Sequence, residues 1–97
     1  MKDRLLPIGT VVLLKNSKEP LMINGYCVYE KGVKESIMYD YGSCKFPIGV
    51  IDGNVSIAFN KEKIDKIIHM GYEDDTYKEF EKVLSENIDK IRDSINS

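Results

Sequence analysis

The chain has 97 residues, of which 42% are hydrophobic and 31% charged, and its formal net charge is −2. These values predict one globular domain over residues 1–97 and exclude a disordered or fibrous chain. An acidic balance lacks the positive field that gathers phosphates, so we expect no nucleic-acid partner. The sequence also lacks an apolar segment long enough for a membrane span, so we expect no membrane partner.

The first residues predict the compartment. Met1-Lys2-Asp3-Arg4 leads directly into Leu5-Leu6-Pro7, an apolar run that is too short for a signal peptide. We therefore expect a cytoplasmic protein. Cys27 and Cys44 are the only cysteines, and in a reducing compartment we expect two free thiols rather than a disulfide.

The first half of the chain predicts β-strands, because β-branched and aromatic residues cluster in runs separated by turn formers. The first run covers residues 10–15. The second covers residues 21–30, and Gly25 in its middle predicts a bulge or a close approach of another backbone. A polar connection over residues 30–35 leads to the third run, 36–41, whose alternation predicts one buried and one wetter face.

Turn formers divide the next segment. Gly42-Ser43 predicts a turn, and residues 46–49 are too rich in proline and glycine for the centre of a sheet. Asp52-Gly53 is a hairpin signal between residues 50–51 and 55–59. The sequence thus predicts an α+β fold that begins with a four- to five-stranded antiparallel sheet or small barrel over about residues 10–59.

A short helix is predicted over about residues 61–70. Asn60 is a candidate N-cap, Phe59 and Ile64 have the spacing of a hydrophobic staple, and Gly71 is a candidate C-terminal stop. The apolar residues at positions 64, 67 and 68 would then share one face of the helix.

A long amphipathic helix is predicted over about residues 75–95, with acidic residues at its start. Its apolar stripe is narrow, which is typical of helix-to-helix pairing. One hypothesis is that four residues of the stripe form a docking seam for another helix: Leu84, Ile88, Ile91 and Ile95. The alternative is that the stripe packs across the strands.

The sequence predicts no catalytic residues, no metal site and no cofactor. His69 is the only histidine, and a thiol–imidazole pair with Cys27 or Cys44 has no supporting motif. The two cysteines lack the paired spacing of zinc ligands, and no glycine-rich phosphate loop is present in the sequence. We therefore expect a protein that is not an enzyme.

Five segments together resemble a known family: LLPIGTVVLLK at residues 5–15, LMING at 21–25, YDYGSC at 39–44, FNKEKID at 59–65 and HMGY at 69–72. Their order and spacing are similar to those of a small domain-of-unknown-function family encoded in type VII secretion loci of Gram-positive bacteria, often beside LXG toxins. The resemblance covers about residues 5–80.

The resemblance implies a cytosolic targeting factor, a chaperone-like adaptor that binds the helical N-terminal region of an LXG toxin together with small WXG100-like helical proteins. It carries over no catalytic residues. Matched or adjacent residues near one strand end are candidate partner contacts: Tyr39, Asp40, Tyr41, Phe46 and Pro47. The alternative is that Tyr39 and Cys44 belong to the core and that Gly42 only sets the turn.

Three other functions stay open at this point. The tyrosines of a small barrel could stack on single-stranded nucleic acid, although the charge opposes it. A thiol enzyme would use Cys44 and His69. An immunity-type protein of the same locus would also act by protein contacts, and the sequence leaves homo-oligomerisation open.

Overall fold

The computed structural model describes residues 5–30, 36–53 and 56–96. Within these ranges the chain forms one antiparallel sheet in the strand order β4-β3-β2-β1-β5, followed by one α-helix. The elements are β1 (Val11–Leu14), β2 (Leu21–Val28), β3 (Tyr39–Lys45), β4 (Ile57–Phe59), a 3₁₀ turn (Lys61–Lys63), β5 (Ile64–His69) and α1 (Asp75–Asn96). The predicted α+β class is confirmed as an open sheet rather than a barrel.

The first two strands lie close to their predicted positions. β1 pairs with β2 through Val11 opposite Met22 and Val12 opposite Leu21. The pairing of β2 with β3 shifts by one residue between Ile23 and Gly25, which confirms the bulge predicted at Gly25. The shift keeps apolar residues on the same face of β2 on either side of the bulge.

The third strand extends further than predicted. Residues 36–38 precede β3, and Gly42 and Ser43, which were expected to open a turn, lie inside it. A Cβ atom on Gly42 would lie 2.7 Å from the Cγ2 atom of Val28, so this glycine permits close packing between neighbouring strands. Most of the predicted connection over 30–35 lies outside the described residues.

The hairpin predicted around Asp52-Gly53 is wrong, because the strand that follows does not pair with residues 50–51. Residues 50–51 are in no strand, and β4 pairs instead with β3, where Tyr41 lies opposite Phe59 and Ser43 opposite Ile57. The amide of Gly49 donates to the carbonyl of Lys45 over 2.7 Å, which closes a turn directly after β3. This turn leads the chain out of the sheet before Val50, while residues 54–55 lie outside the described part.

The short helix predicted over 61–70 is not present; β5 occupies most of that segment. Two irregularities in its pairing with β1 explain the error. Leu14 lies opposite Ile64 and Val12 opposite Ile67, so three steps along β5 match two along β1. Bulges of this kind place residues three apart on one face, which imitates the apolar spacing of a helix.

The long helix is confirmed as α1, which spans 22 residues. The Asp74 carboxylate accepts the amide hydrogen of Tyr77 over 2.8 Å and so caps the first turn. Among the described residues, no helix is long and apolar enough to cross a bilayer.

The core lies where α1 crosses the sheet. It is built from buried side chains of the N-terminal segment and four strands, against which two helix residues pack. The buried members are Leu5, Val12, Leu21, Ile23, Tyr41 and Phe59, and the helix residues are Leu84 and Ile88. Burying a side chain of this size stabilises the fold by about 1.5 to 3 kcal/mol.

Candidate functional site

The candidate contact residues on β3 have different environments. Tyr39 is at the start of the strand and is partly exposed, whereas Asp40 is 5% exposed and Tyr41 is 1% exposed. Neighbouring side chains of a strand point to opposite faces, so one run of three residues does not form one surface. Of the three, only Tyr39 is available for contact with a partner.

Asp40 is held by an ion pair with Arg92 of α1. Its carboxylate also accepts the amide hydrogen of Lys61 over 2.9 Å, and its own amide donates to the Asn60 side chain over 3.0 Å. Arg92 donates a second hydrogen bond to the carbonyl of Met38 over 2.7 Å. This network joins β3, the 3₁₀ turn and the second half of the helix.

A hollow of about 410 Å³ lies beside this network and is lined mainly by polar side chains, Asp40, Asn60 and Arg92 among them. Asp40 and Arg92 on its wall already bind one another, so this pair connects β3 to α1. Sequence reasoning missed Arg92. The available signal was a lone arginine beside the apolar stripe, because a guanidinium can reach across an interface and bind a carboxylate with two donors.

Three tyrosine hydroxyls hold the backbone of Leu5 and Leu6 between the sheet and α1. The Leu6 amide donates to the hydroxyl of Tyr41 over 2.9 Å, and the hydroxyl of Tyr26 donates to the Leu6 carbonyl over 2.5 Å. Tyr77 donates to the carbonyl of Leu5. These tyrosines are structural, so they are not the base-stacking surface that the nucleic-acid alternative requires.

The burial of Tyr41 and the partial burial of Tyr26 make the stability of the fold sensitive to alkaline pH. Burial raises the pKa of Tyr41 from 10.0 to about 12, and it also raises the pKa of Tyr26. Above pH 10 the tyrosines of the unfolded chain ionise while these two remain protonated, so stability present below pH 10 is lost as the pH rises. For Tyr41 alone the expected loss by about pH 12 is about 2 to 3 kcal/mol.

Urea unfolding at about pH 9 and about pH 11 measures this effect. We expect Tyr41→Phe to show a smaller loss of stability between the two conditions than the unchanged protein. Tyr72→Phe is the matched control, because Tyr72 is largely exposed. If Tyr41→Phe lost as much stability between the two pH values as the unchanged protein, Tyr41 would not be the source of the alkaline sensitivity.

A run of exposed apolar side chains follows β3. We name it the β3–β4 loop surface: Phe46, Pro47, Ile48, Val50 and Ile51. All five side chains are exposed, and Ile51 is 85% exposed. A hollow of about 280 Å³ lies behind it, lined by Cys44 and Ile57 among others. Large contiguous apolar patches are uncommon on monomeric proteins, so a run of exposed apolar residues is a candidate contact surface.

Hydrogen bonds fix the base of this loop. The Phe46 amide donates to the carbonyl of Pro20 over 3.0 Å, and the Gly49 amide closes the turn onto Lys45. An ordered base lowers the entropy cost of binding. The two candidate contacts Phe46 and Pro47 are exposed in this turn, about one strand length from Tyr39.

The predicted docking seam on α1 divides into two parts. Leu84 and Ile88 pack against the buried core, as in the alternative that the stripe crosses the strands. Ile91 and Ile95, one and two turns further on, are half-buried. All four residues are half-buried, but Ile91 and Ile95 are not among those that pack against the buried core, so they are the part of the seam with which a partner helix could pair.

A second exposed apolar region lies at the start of α1. Phe80 and Val83 are about half exposed, and Tyr72 is 78% exposed. Ile8 approaches Tyr72 because the backbone at residues 8–10 packs directly on Gly71. No pattern in the sequence predicted that these residues would meet.

The thiol–imidazole alternative fails on distance. Strand pairing places His69 opposite Val11, Val11 opposite Met22, and Met22 opposite Cys44. The two groups are thus three strand spacings apart, about 14 Å. Burial raises the pKa of Cys27, and within the described ranges no group of three or more His, Cys, Asp or Glu residues could hold a metal ion.

Comparison with known proteins identifies the family of this chain. No curated protein and no solved structure is significantly similar to the chain. A family model described as Domain of unknown function (DUF4176) matches residues 5–80, which include every strand of the sheet and the start of α1. The chain therefore belongs to the DUF4176 family.

Proposed function

We propose that this chain is a non-catalytic adaptor that binds another protein through the β3–β4 loop surface. The observation that carries the proposal is the exposure of five apolar side chains within six consecutive residues, 46–51. Isolated exposed apolar residues are normal on a protein surface, whereas a contiguous group is characteristic of an interface.

The composition of this surface suits a protein partner. Phe46 and Pro47 supply rigid contact area, and the aliphatic residues around them can fill pockets on the other side. The nearest described charges include Lys45, which is paired with Glu19 over 3.4 Å. The surface thus has no basic cluster for phosphates among the described residues.

For the partner we propose the helical N-terminal region of an LXG toxin, bound in the cytoplasm with WXG100-like helical proteins before export by type VII secretion. The support is the resemblance in the five sequence segments given above. The half-buried Ile91 and Ile95 are a second place where a helical partner could add contacts.

Replacing Ile51 with aspartate tests the proposal. The side chain is 85% exposed, so stability should change by less than about 0.5 kcal/mol. A charge at the centre of the interface should lower recovery of the complex at least about tenfold. The measurement is size-exclusion chromatography after co-expression with an LXG toxin and small WXG100-like helical proteins.

Ile37→Asp is the matched control, because Ile37 is also an exposed isoleucine but precedes β3, at the opposite end of that strand from the loop. We expect it to leave the complex intact. If the unchanged protein never enters a complex with the toxin, the proposed partner is wrong. If the complex forms and Ile51→Asp leaves it unchanged, the proposed surface is wrong.

A further inference from the structure

Two adjoining shallow hollows at the start of α1, the second lined by α1 residues alone, form one open surface that we name the α1 groove. One hollow of about 610 Å³ is lined by Ile8, Tyr26, Tyr72 and Phe80 among others, and the next, about 600 Å³, is lined by Phe80 and Val83 among others. They share Thr76 and Phe80. The groove has no lining residue in common with the hollow of the β3–β4 loop surface.

The floor of the groove is apolar and open to solvent. Phe80 packs its ring on Tyr26 with 5.7 Å between ring centres, yet it remains 49% exposed. The hydroxyl of Tyr26 is bound to the backbone at Leu6, so the ring cannot turn to cover Phe80. The described part of the chain thus fixes an aromatic surface without covering it.

The charged side chains that line the groove have one sign. Among the described residues that line it, every charged side chain is acidic: Asp74, Asp75 and Glu79. Asp74 caps the helix, whereas Asp75 and Glu79 are exposed on its first two turns. An apolar floor with a negative rim is complementary to an apolar segment flanked by positive charges.

We propose that the α1 groove binds an amphipathic helix of another protein whose apolar side is bordered by lysine or arginine. Its apolar side chains would pack on Phe80 and Val83, and its cations would lie beside Asp75 and Glu79. The proposal is independent of the β3–β4 loop surface, and with both surfaces occupied the chain would connect two partners.

The acidic side chains at the edge of the groove disfavour other classes of partner. A second copy of this chain related by a two-fold axis would bring the acidic rims together, which opposes association. Phosphate-rich surfaces, such as anionic membranes and nucleic acids, would be repelled by the same carboxylates. A basic helix is the occupant for which both the floor and the rim are favourable.

A defined peptide pair tests the proposal: an amphipathic peptide of about 18 residues with leucines at helical spacing and lysines on its other side, and the same peptide with glutamate for lysine. We expect fluorescence anisotropy to show binding of the lysine peptide alone, weakening between about 50 mM and about 500 mM salt. Asp75→Lys/Glu79→Lys should weaken it at least about tenfold.

Asp65→Lys/Asp93→Lys is the matched control, because it makes the same change in net charge at exposed positions that do not line the groove. It should change binding less than about twofold. Val83→Ser, which alters no charge, should also weaken binding. If the rim variant does not fold, Asp75→Asn/Glu79→Gln takes its place with a smaller expected loss.

Three results would overturn the proposal. Equal weakening by the rim variant and its control would mean attraction to net charge alone. Equal binding of the glutamate peptide would remove the role of the rim. A dimer in light scattering that Val83→Ser dissociates would assign the groove to a second copy. None of these results bears on the toxin complex through the β3–β4 loop surface.

Discussion

Replacing Gly71 with alanine should lower the free energy of unfolding by about 3 kcal/mol, which in a chain of this size lowers Tm by more than about 10 °C. The added Cβ atom would lie 2.3 Å from the carbonyl oxygen of Ile8 and 2.8 Å from the amide nitrogen of Thr10. Both atoms belong to the backbone, so a change of side-chain rotamer cannot relieve the clash.

The contact also holds the edge of the sheet. The Gly71 amide donates to the Thr10 hydroxyl over 3.0 Å, so any displacement weakens this bond as well. Gly53→Ala is the matched control, because a Cβ atom there has no heavy atom within 4 Å. Urea unfolding of the two variants measures the difference in stability. A Gly71→Ala protein as stable as Gly53→Ala would mean that Gly71 does not pack against residues 8–10.

Replacing Arg92 with leucine should also lower the free energy of unfolding by about 3 kcal/mol, because it leaves the Asp40 carboxylate buried without its cation. The Arg92 side chain is 27% exposed and that of Asp40 is 8% exposed, so most of the loss comes from the uncompensated aspartate. The Met38 carbonyl also loses a hydrogen-bond donor.

A second variant separates the charge from the loss of packing. In Asp40→Asn/Arg92→Leu the buried charge is absent, while the asparagine oxygen can still accept from the Lys61 amide. We expect this protein to be more stable than Arg92→Leu alone by at least about 1 kcal/mol. Lys90→Leu, an exposed cation on the same helix, should change stability by less than about 0.5 kcal/mol. Equal stability of the single and double variants would contradict the ion-pair argument.

Parts of the fold were predictable because one local signal dominated. The apolar run at β1, the glycine bulge in β2 and the amphipathic period of α1 each agree with the structure. β5 was not predictable from its own residues. Its apolar spacing depends on two irregularities that exist only in the pairing with β1, and such pairing is a long-range property.

The candidate partner contacts near β3 were also only partly predictable from local sequence. Glycine is a common turn former, but Gly42 lies inside β3 and leaves room for the side chain of Val28. Tyr41, beside it in the same strand, is buried in the core. Phe46 and Pro47 were predicted from their proximity to a turn, and they are exposed. The rest of the loop surface could have been predicted from the number of consecutive apolar residues.

The irregular pairing of β5 affects whether other chains can add to the edge of the sheet. β5 is the outermost strand on its side of the sheet, where unpaired peptide groups could recruit a foreign strand and start a fibril. Bulges twist such a border, and Lys66 adds a charge to it. Natural proteins use both devices to discourage polymerisation through the backbone, which leaves specific side-chain surfaces as the route to assembly.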